Sequence, residues 1–217
     1  HPGQHKTVVS PNGSYFVDTH SSTSRPPRTE VRSTSGELVE IVTEADVSAL
    51  EDLNWSPPEE FVVKADDGET DLYGLIFKPS DFDPNQRDPV IDYIYHGPWI
   101  SGVPKTFTDG RGVAQAAVAQ LGCVVFMVDG RGTTERGKAF QDVAYRNFGR
   151  NEIPDHVAAM KNAAATRPWM DLDQVGIYGF SWGGYMTARA MLLAPDFYDV
   201  GVAGAGVYNI HDQNAWA

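Results

Sequence analysis

For most of its length this sequence predicts an α/β fold, a largely parallel sheet covered by helices on both faces, preceded by a short all-β segment. Three observations carry that reading. From Glu59 onward, β-prone runs alternate with helical stretches. Inner runs such as Cys123-Val124-Val125-Phe126-Met127-Val128 are apolar without interruption, as strands covered on both faces are. Before Glu59 the chain offers only short β-prone runs, punctuated by Pro, Gly and Ser.

The all-β segment, residues 1–45, begins with Lys6-Thr7-Val8-Val9 and Tyr15-Phe16-Val17 on either side of the turn signal Ser10-Pro11-Asn12-Gly13. Thr29-Glu30-Val31-Arg32 and Glu37-Leu38-Val39-Glu40-Ile41-Val42 follow, hinged at Ser35-Gly36. Four short strands bury too little for a core of their own. They are expected to complete a sandwich or β-propeller domain lying mostly upstream. Residues 46–58 read as a linker, with a short helix over 46–53 and a boundary at Trp55-Ser56-Pro57-Pro58.

Residues 59–217 carry the α/β pattern. Phe61-Val62-Val63-Lys64 and Leu72-Tyr73-Gly74-Leu75-Ile76-Phe77 flank the turn Ala65-Asp66-Asp67-Gly68, which predicts an antiparallel hairpin. A strand over 89–95 then ends at the loop His96-Gly97-Pro98. A helix over 113–120 leads into the strand that starts at Cys123. A second helix, 154–166, has Pro154 at its start and is stopped by Pro168. Val175-Gly176-Ile177-Tyr178 reads as a strand, 185–193 as a helix and 200–205 as the last strand.

Composition narrows the function classes. The hydrophobic fraction of 41% and charged fraction of 21% are those of an ordinary globular protein. A formal net charge of −12 argues against a nucleic-acid partner, which would require a basic face. No run reaches the roughly 18 apolar residues of a membrane helix. One cysteine, Cys123, cannot build a disulfide framework, and its apolar surroundings read as those of an inert buried thiol. No His/Cys cluster has metal-ligand spacing, so neither a metal nor another cofactor is expected. The chain opens with His1-Pro2 in place of Met, so it is expected to come from something longer, and its compartment is left open.

The chemistry centres on Gly179-Phe180-Ser181-Trp182-Gly183-Gly184. A strand that enters a helix through one residue turns the central serine sharply. Small residues are then needed two positions before and after it, where a Cβ would collide across the turn. This raises the Ser181 hydroxyl above the carboxyl end of the sheet, beside a helix N-terminus that favours developing negative charge. The pattern predicts the nucleophile elbow of an α/β-hydrolase fold, against the alternative of a tightly packed glycine-rich turn. The backbone N–H of Trp182 would be one oxyanion donor. Tyr95, at the end of an earlier strand, reads equally as a second donor or as an ordinary strand-end aromatic. His96 precedes the serine, whereas the base of this fold follows it, so His96 is read as a loop residue.

At these residues the sequence resembles the prolyl oligopeptidase family, and within it the dipeptidyl peptidase IV branch. The resemblance rests on Gly179-Phe180-Ser181-Trp182-Gly183-Gly184-Tyr185, Tyr95-His96-Gly97-Pro98, Asp129-Gly130-Arg131-Gly132 and Ser10-Pro11-Asn12-Gly13-Ser14-Tyr15-Phe16. It implies Ser181 as nucleophile, the Tyr95 hydroxyl paired with the Trp182 backbone as oxyanion hole, and a loop-stabilising role for Asp129 and Arg131. It implies that residues 1–45 end a β-propeller. It also implies peptide substrates, release of N-terminal dipeptides, and a homodimer as an open possibility of assembly. Many relatives have glycine where this chain has His96.

A serine nucleophile needs a histidine oriented by a carboxylate, and in this fold both follow it. After Ser181 the only histidine is His211, with Asp196, Asp199 and Asp212 near it in sequence. The remaining residues accommodate about one helix and one strand at ~30 residues per strand–helix–strand unit. The hydrolase domain is therefore expected to be truncated before its acid and base, and the isolated chain to be inactive and aggregation-prone. An esterase or acylaminoacyl peptidase would use the same elbow, and a non-catalytic homologue acting in binding or assembly is the alternative from another class.

Overall fold

The computed structural model describes residues 2–107 and 110–209. Two compact units are present, residues 1–58 with 104–114 and residues 59–103 with 115–217. In the first unit, β1 (Gln4–Val9), β2 (Tyr15–Ser21), β3 (Arg28–Ser33) and β4 (Leu38–Glu44) form an antiparallel sheet in sequential order. The turn between β1 and β2 is tied by the Ser10 hydroxyl, which donates to Asn12 Oδ1 at 2.8 Å, with Gly13 at a φ of 67°. One turn of helix, α1 (Ser48–Glu51), follows.

In the second unit, β5 (Glu59–Lys64) and β6 (Asp71–Phe77) make the expected hairpin, with Val63 opposite Leu72 and Lys64 opposite Asp71. β7 (Asp88–Tyr93), β8 (Val124–Asp129), β9 (Met170–Phe180) and β10 (Val200–Gly204) complete a six-stranded sheet in the order β10-β9-β7-β8-β6-β5. β7 pairs in parallel with both β8 and β9, and β10 pairs in parallel with β9. The antiparallel pairings of this sheet are β5 with β6 and β6 with β8. The central strands are buried on both faces, as their uninterrupted apolar sequence requires: Val124, Val125 and Phe126 are fully inaccessible.

Helices cover both faces. On one, α4 (Glu152–Ala164) and α5 (Trp182–Leu193) bury Ile153, Ala159, Met160, Met186 and Ala190 in a core with Phe126, Ile94 and Ile177. On the other, α2 (Gly110–Ala119) sets Ala119 and Ala116 against Leu75, Phe77, Cys123, Val125 and Met127. Burial pushes the Cys123 thiol pKa up, helped by the Asp88 charge, which keeps the thiol protonated. A short helix, α3 (Lys138–Gln141), lies between β8 and α4 and has no counterpart in the sequence reading. Among the described residues, no helix is long and apolar enough to cross a membrane.

Candidate active site

β9 passes into α5 through a single residue, Ser181, at φ 58° and ψ −117°. An L-residue resists positive φ, so this backbone stores on the order of 1–3 kcal/mol that the surrounding contacts must hold. They do so from both sides. The Ser181 N–H donates to the Gly204 carbonyl at 2.8 Å, and its own carbonyl accepts from the Tyr185 N–H at 3.1 Å. A Cβ at Gly179 would stand 2.3 Å from the Ile94 carbonyl oxygen, and one at Gly183 only 2.2 Å from that same oxygen. Only glycine lets the β7 end come this close.

The Ser181 side chain makes no capping hydrogen bond to α5, although serine at a helix start commonly does. Its hydroxyl is thus not committed to the helix. Behind it, the first N–H groups of α5, beginning with Trp182, have no acceptor within the helix and sit at its positive end. The Trp182 ring is buried against Trp99, Phe148 and Tyr185, with centroids at 5.2, 5.7 and 4.8 Å.

The second strand end is drawn to the same place. Ile94 N–H donates to Tyr178 O at 3.0 Å, and Ile94 is fully buried. Next comes half-buried Tyr95, whose Cα lies 3.3 Å from where a Cβ on Gly183 would be. The loop that follows is clamped along its length. His96 Nε2 bonds the Arg131 carbonyl at 3.0 Å, and Gln141 Nε2 donates to the Pro98 carbonyl at 2.7 Å. The Asp129 carboxylate accepts from the Ser101 hydroxyl at 2.5 Å and from the backbone N–H groups of Gly102 and Val103 at 2.6 and 3.2 Å.

Arg131 reinforces the clamp. Its guanidinium grips Asp155 with Nη2 at 2.7 Å and Nε at 3.0 Å, its backbone N–H donates to Asp155 at 2.9 Å, and Nη1 reaches Asp67 at 2.8 Å. The fork geometry keeps the guanidinium firmly charged.

Of the residues the sequence singled out, Ser181 and Trp182 share the elbow, and Tyr95 begins the loop packed on Gly183. His211 and Asp212 lie outside the described residues. Sequence reasoning missed a buried polar group beneath the loop: Asp92, His156 and Tyr198, each essentially inaccessible. Asp92 accepts from His156 Nδ1 at 2.9 Å and from the Tyr198 hydroxyl at 2.9 Å. An aspartate inside the apolar run of β7 was the available signal. The first unit also gathers Asp18, His20 and Glu30, whose ligand-type atoms lie within 4.8 Å of one another, a grouping that sequence spacing did not show. There the Glu30 carboxylate faces Arg32 at 2.5 Å and Arg28 at 3.3 Å, so guanidinium groups already balance its charge.

The chain is similar to known proteins along most of its length. Residues 112–216 match the model of the prolyl oligopeptidase family. Mouse dipeptidyl peptidase 8 is 36% identical over 154 residues, 71% of this chain and 17% of the relative. Among solved structures, a Bacteroides ovatus protein assigned as a dipeptidyl aminopeptidase IV superposes with a TM-score of 0.84 at 30% identity. Porphyromonas gingivalis dipeptidyl peptidase 4 gives 0.79 at 30% identity. Each covers 94% of this chain, and the chain spans 29% of each. The second unit thus has the α/β-hydrolase fold, and the chain belongs to the prolyl oligopeptidase family.

Proposed function

We propose that this chain carries the nucleophile of a serine peptidase that releases dipeptides from peptide N-termini through an acyl-enzyme on Ser181. The observation that carries the reading is the Ser181 backbone, held at positive φ between strand and helix with its hydroxyl uncommitted to the helix. In the reaction the hydroxyl oxygen attacks the scissile carbonyl, the serine proton passes to a general base, and the amine leaves with that proton. The Trp182 N–H and the Tyr95 hydroxyl donate to the oxyanion that forms. The base and its carboxylate partner are assigned outside the described residues. His96 and His156 are fully buried and bonded to Arg131 and Asp92, which suits neither for that role.

The dipeptidyl specificity rests on the named relatives, of which this chain spans a small part. Residues 1–45 are read as the end of a β-propeller domain, 46–58 as a linker and 59–217 as part of the hydrolase domain. The test compares alanyl-prolyl-p-nitroanilide, its N-acylated form and a p-nitrophenyl ester on the intact protein. Release from the free-amine substrate alone, abolished by Ser181→Ala, supports the reading. Preference for the blocked substrate or the ester assigns an acylaminoacyl peptidase or an esterase, and no turnover of any of them assigns a non-catalytic homologue.

A further inference from the structure

Beneath the Tyr95 loop lies a chain of four buried polar side chains whose donors and acceptors can be assigned one by one. The Tyr198 hydroxyl donates to Asp92 Oδ2 at 2.9 Å. His156 Nδ1 lies 2.9 and 3.0 Å from the two Asp92 oxygens, so it carries a proton, because a carboxylate only accepts. His96 Nε2 lies 3.0 Å from the Arg131 carbonyl, so it too carries a proton, and His96 Nδ1 is the bare acceptor when that ring is neutral. The two rings sit 5.4 Å apart at an interplanar angle of 45°. Their remaining nitrogens, His96 Nδ1 and His156 Nε2, are buried and have no partner among the described residues.

With both rings neutral, these nitrogens would be two buried lone pairs and the Asp92 charge would have no cation beside it. One additional proton on His156 removes both faults. It neutralises Asp92, and it turns Nε2 into a donor that can reach the bare His96 Nδ1 across one water. Gly130 makes room for the His96 ring in this position, since a Cβ there would stand 2.3 Å from His96 Cε1.

We propose that Tyr198, Asp92, His156 and His96 form a proton-holding positioning device that fixes the Tyr95 loop against the elbow and releases it when His156 loses its proton. This rests on the reading of Tyr95 as an oxyanion donor. The four groups are positioning residues, because they act through Tyr95.

The charges facing His156 agree with the assignment. Burial alone would lower its pKa, but the Asp92 carboxylate of β7, by charge and hydrogen bond, outweighs burial, with Asp155 of α4 and Asp129 of β8 acting in the same sense. The net effect is a pKa above the ordinary 6.5. His96 is held down to about 3 by burial, the His156 charge and Arg131, against the Arg131 carbonyl bond, so it stays the neutral acceptor. Tyr198 is raised well above 10 by burial and by Asp92, so it stays the donor. For a histidine whose folded pKa is raised, the stabilisation is complete below the unfolded value and is lost as pH rises through the folded one. The loop is therefore predicted to loosen on the alkaline side.

Two-bond ¹H–¹⁵N imidazole spectra of the intact protein between pH 6 and 10 test the proton assignment without any activity. Expected are both His156 nitrogens protonated at pH 6.5, a neutral His96 with hydrogen on Nε2, and a His156 midpoint above 6.5. A neutral His156 at pH 6.5 overturns the proposal. With 3-fluorotyrosine at position 95, the ¹⁹F resonance is expected to shift at the His156 midpoint and to lose that step in H156Q and in the charge-neutral pair D92N/H156Q. A ¹⁹F signal indifferent to His156 overturns the link to Tyr95. In peptide hydrolysis, H156Q is expected to lower kcat about tenfold with KM little changed. An intact ¹⁹F response without hydrolysis leaves the device standing and removes the peptidase reading alone.

Discussion

Gly179 and Gly183 face the same carbonyl, that of Ile94, and their missing side chains decide whether the β7 end can approach the elbow. Gly183→Ala is predicted to displace that contact, at about 1–3 kcal/mol in chemical denaturation and with a larger proportional loss of activity. Gly13, by contrast, has open space around its absent Cβ and matters only through its φ of 67°. The residue-scale features legible in the sequence were those written in a few consecutive positions, such as the elbow glycines around Ser181. The Asp92–His156 pair was not legible, because its members stand 64 positions apart and meet only when β7 and α4 pack. Arg131 and Asp155 behave alike. Removing Asp155 leaves the Arg131 guanidinium partly buried with Asp67 as its remaining anion, so Asp155→Ala is predicted to cost on the order of 3 kcal/mol, read from the denaturation midpoint.

At the scale of elements, sequence pattern found the strands and the longer helices of the second unit and misplaced several ends. α5 was expected from residue 185. It starts at Trp182, since Gly183 and Gly184 are present for close approach and the helix runs through them. β9 was expected over 175–178 and begins at Met170, where Asp88 and Pro89 of β7 pair with Met170 and Asp171 before the register shifts. The intervening polar residues Asp171, Asp173 and Gln174 hid that extension. α3 escaped because four residues carry no usable periodicity. The face of α5 that holds the elbow depends on fully buried Met186 and Ala190. Met186→Ala is predicted to cost about 2–5 kcal/mol, measured by the same unfolding transition.

For the molecule as a whole, the sheet of the second unit ends at β10, where Val200 and Val202 are exposed. Among the described residues, β9 is the one strand that pairs with β10. An apolar sheet edge of this kind templates association. Expressed as these 217 residues, the chain is predicted to self-associate with rising concentration in sedimentation velocity, and Val202→Lys to reduce that several-fold. A net charge of −12 opposes this association at low ionic strength, so added salt should strengthen it. The same scale holds what the sequence leaves least legible. The proposed oxyanion donors, Tyr95 just past the end of β7 and Trp182 at the start of α5, stand far apart in the chain, and the proposed base and acid are assigned outside the described residues.

The most direct test of the central claim is the intact mass of the full-length protein after a fluorophosphonate probe, with Ser181→Ala beside it. One adduct per chain, mapped to Ser181 and lost in the alanine variant, is the predicted result. An unlabelled protein, or labelling that persists in Ser181→Ala, would contradict the assignment of Ser181 as the nucleophile.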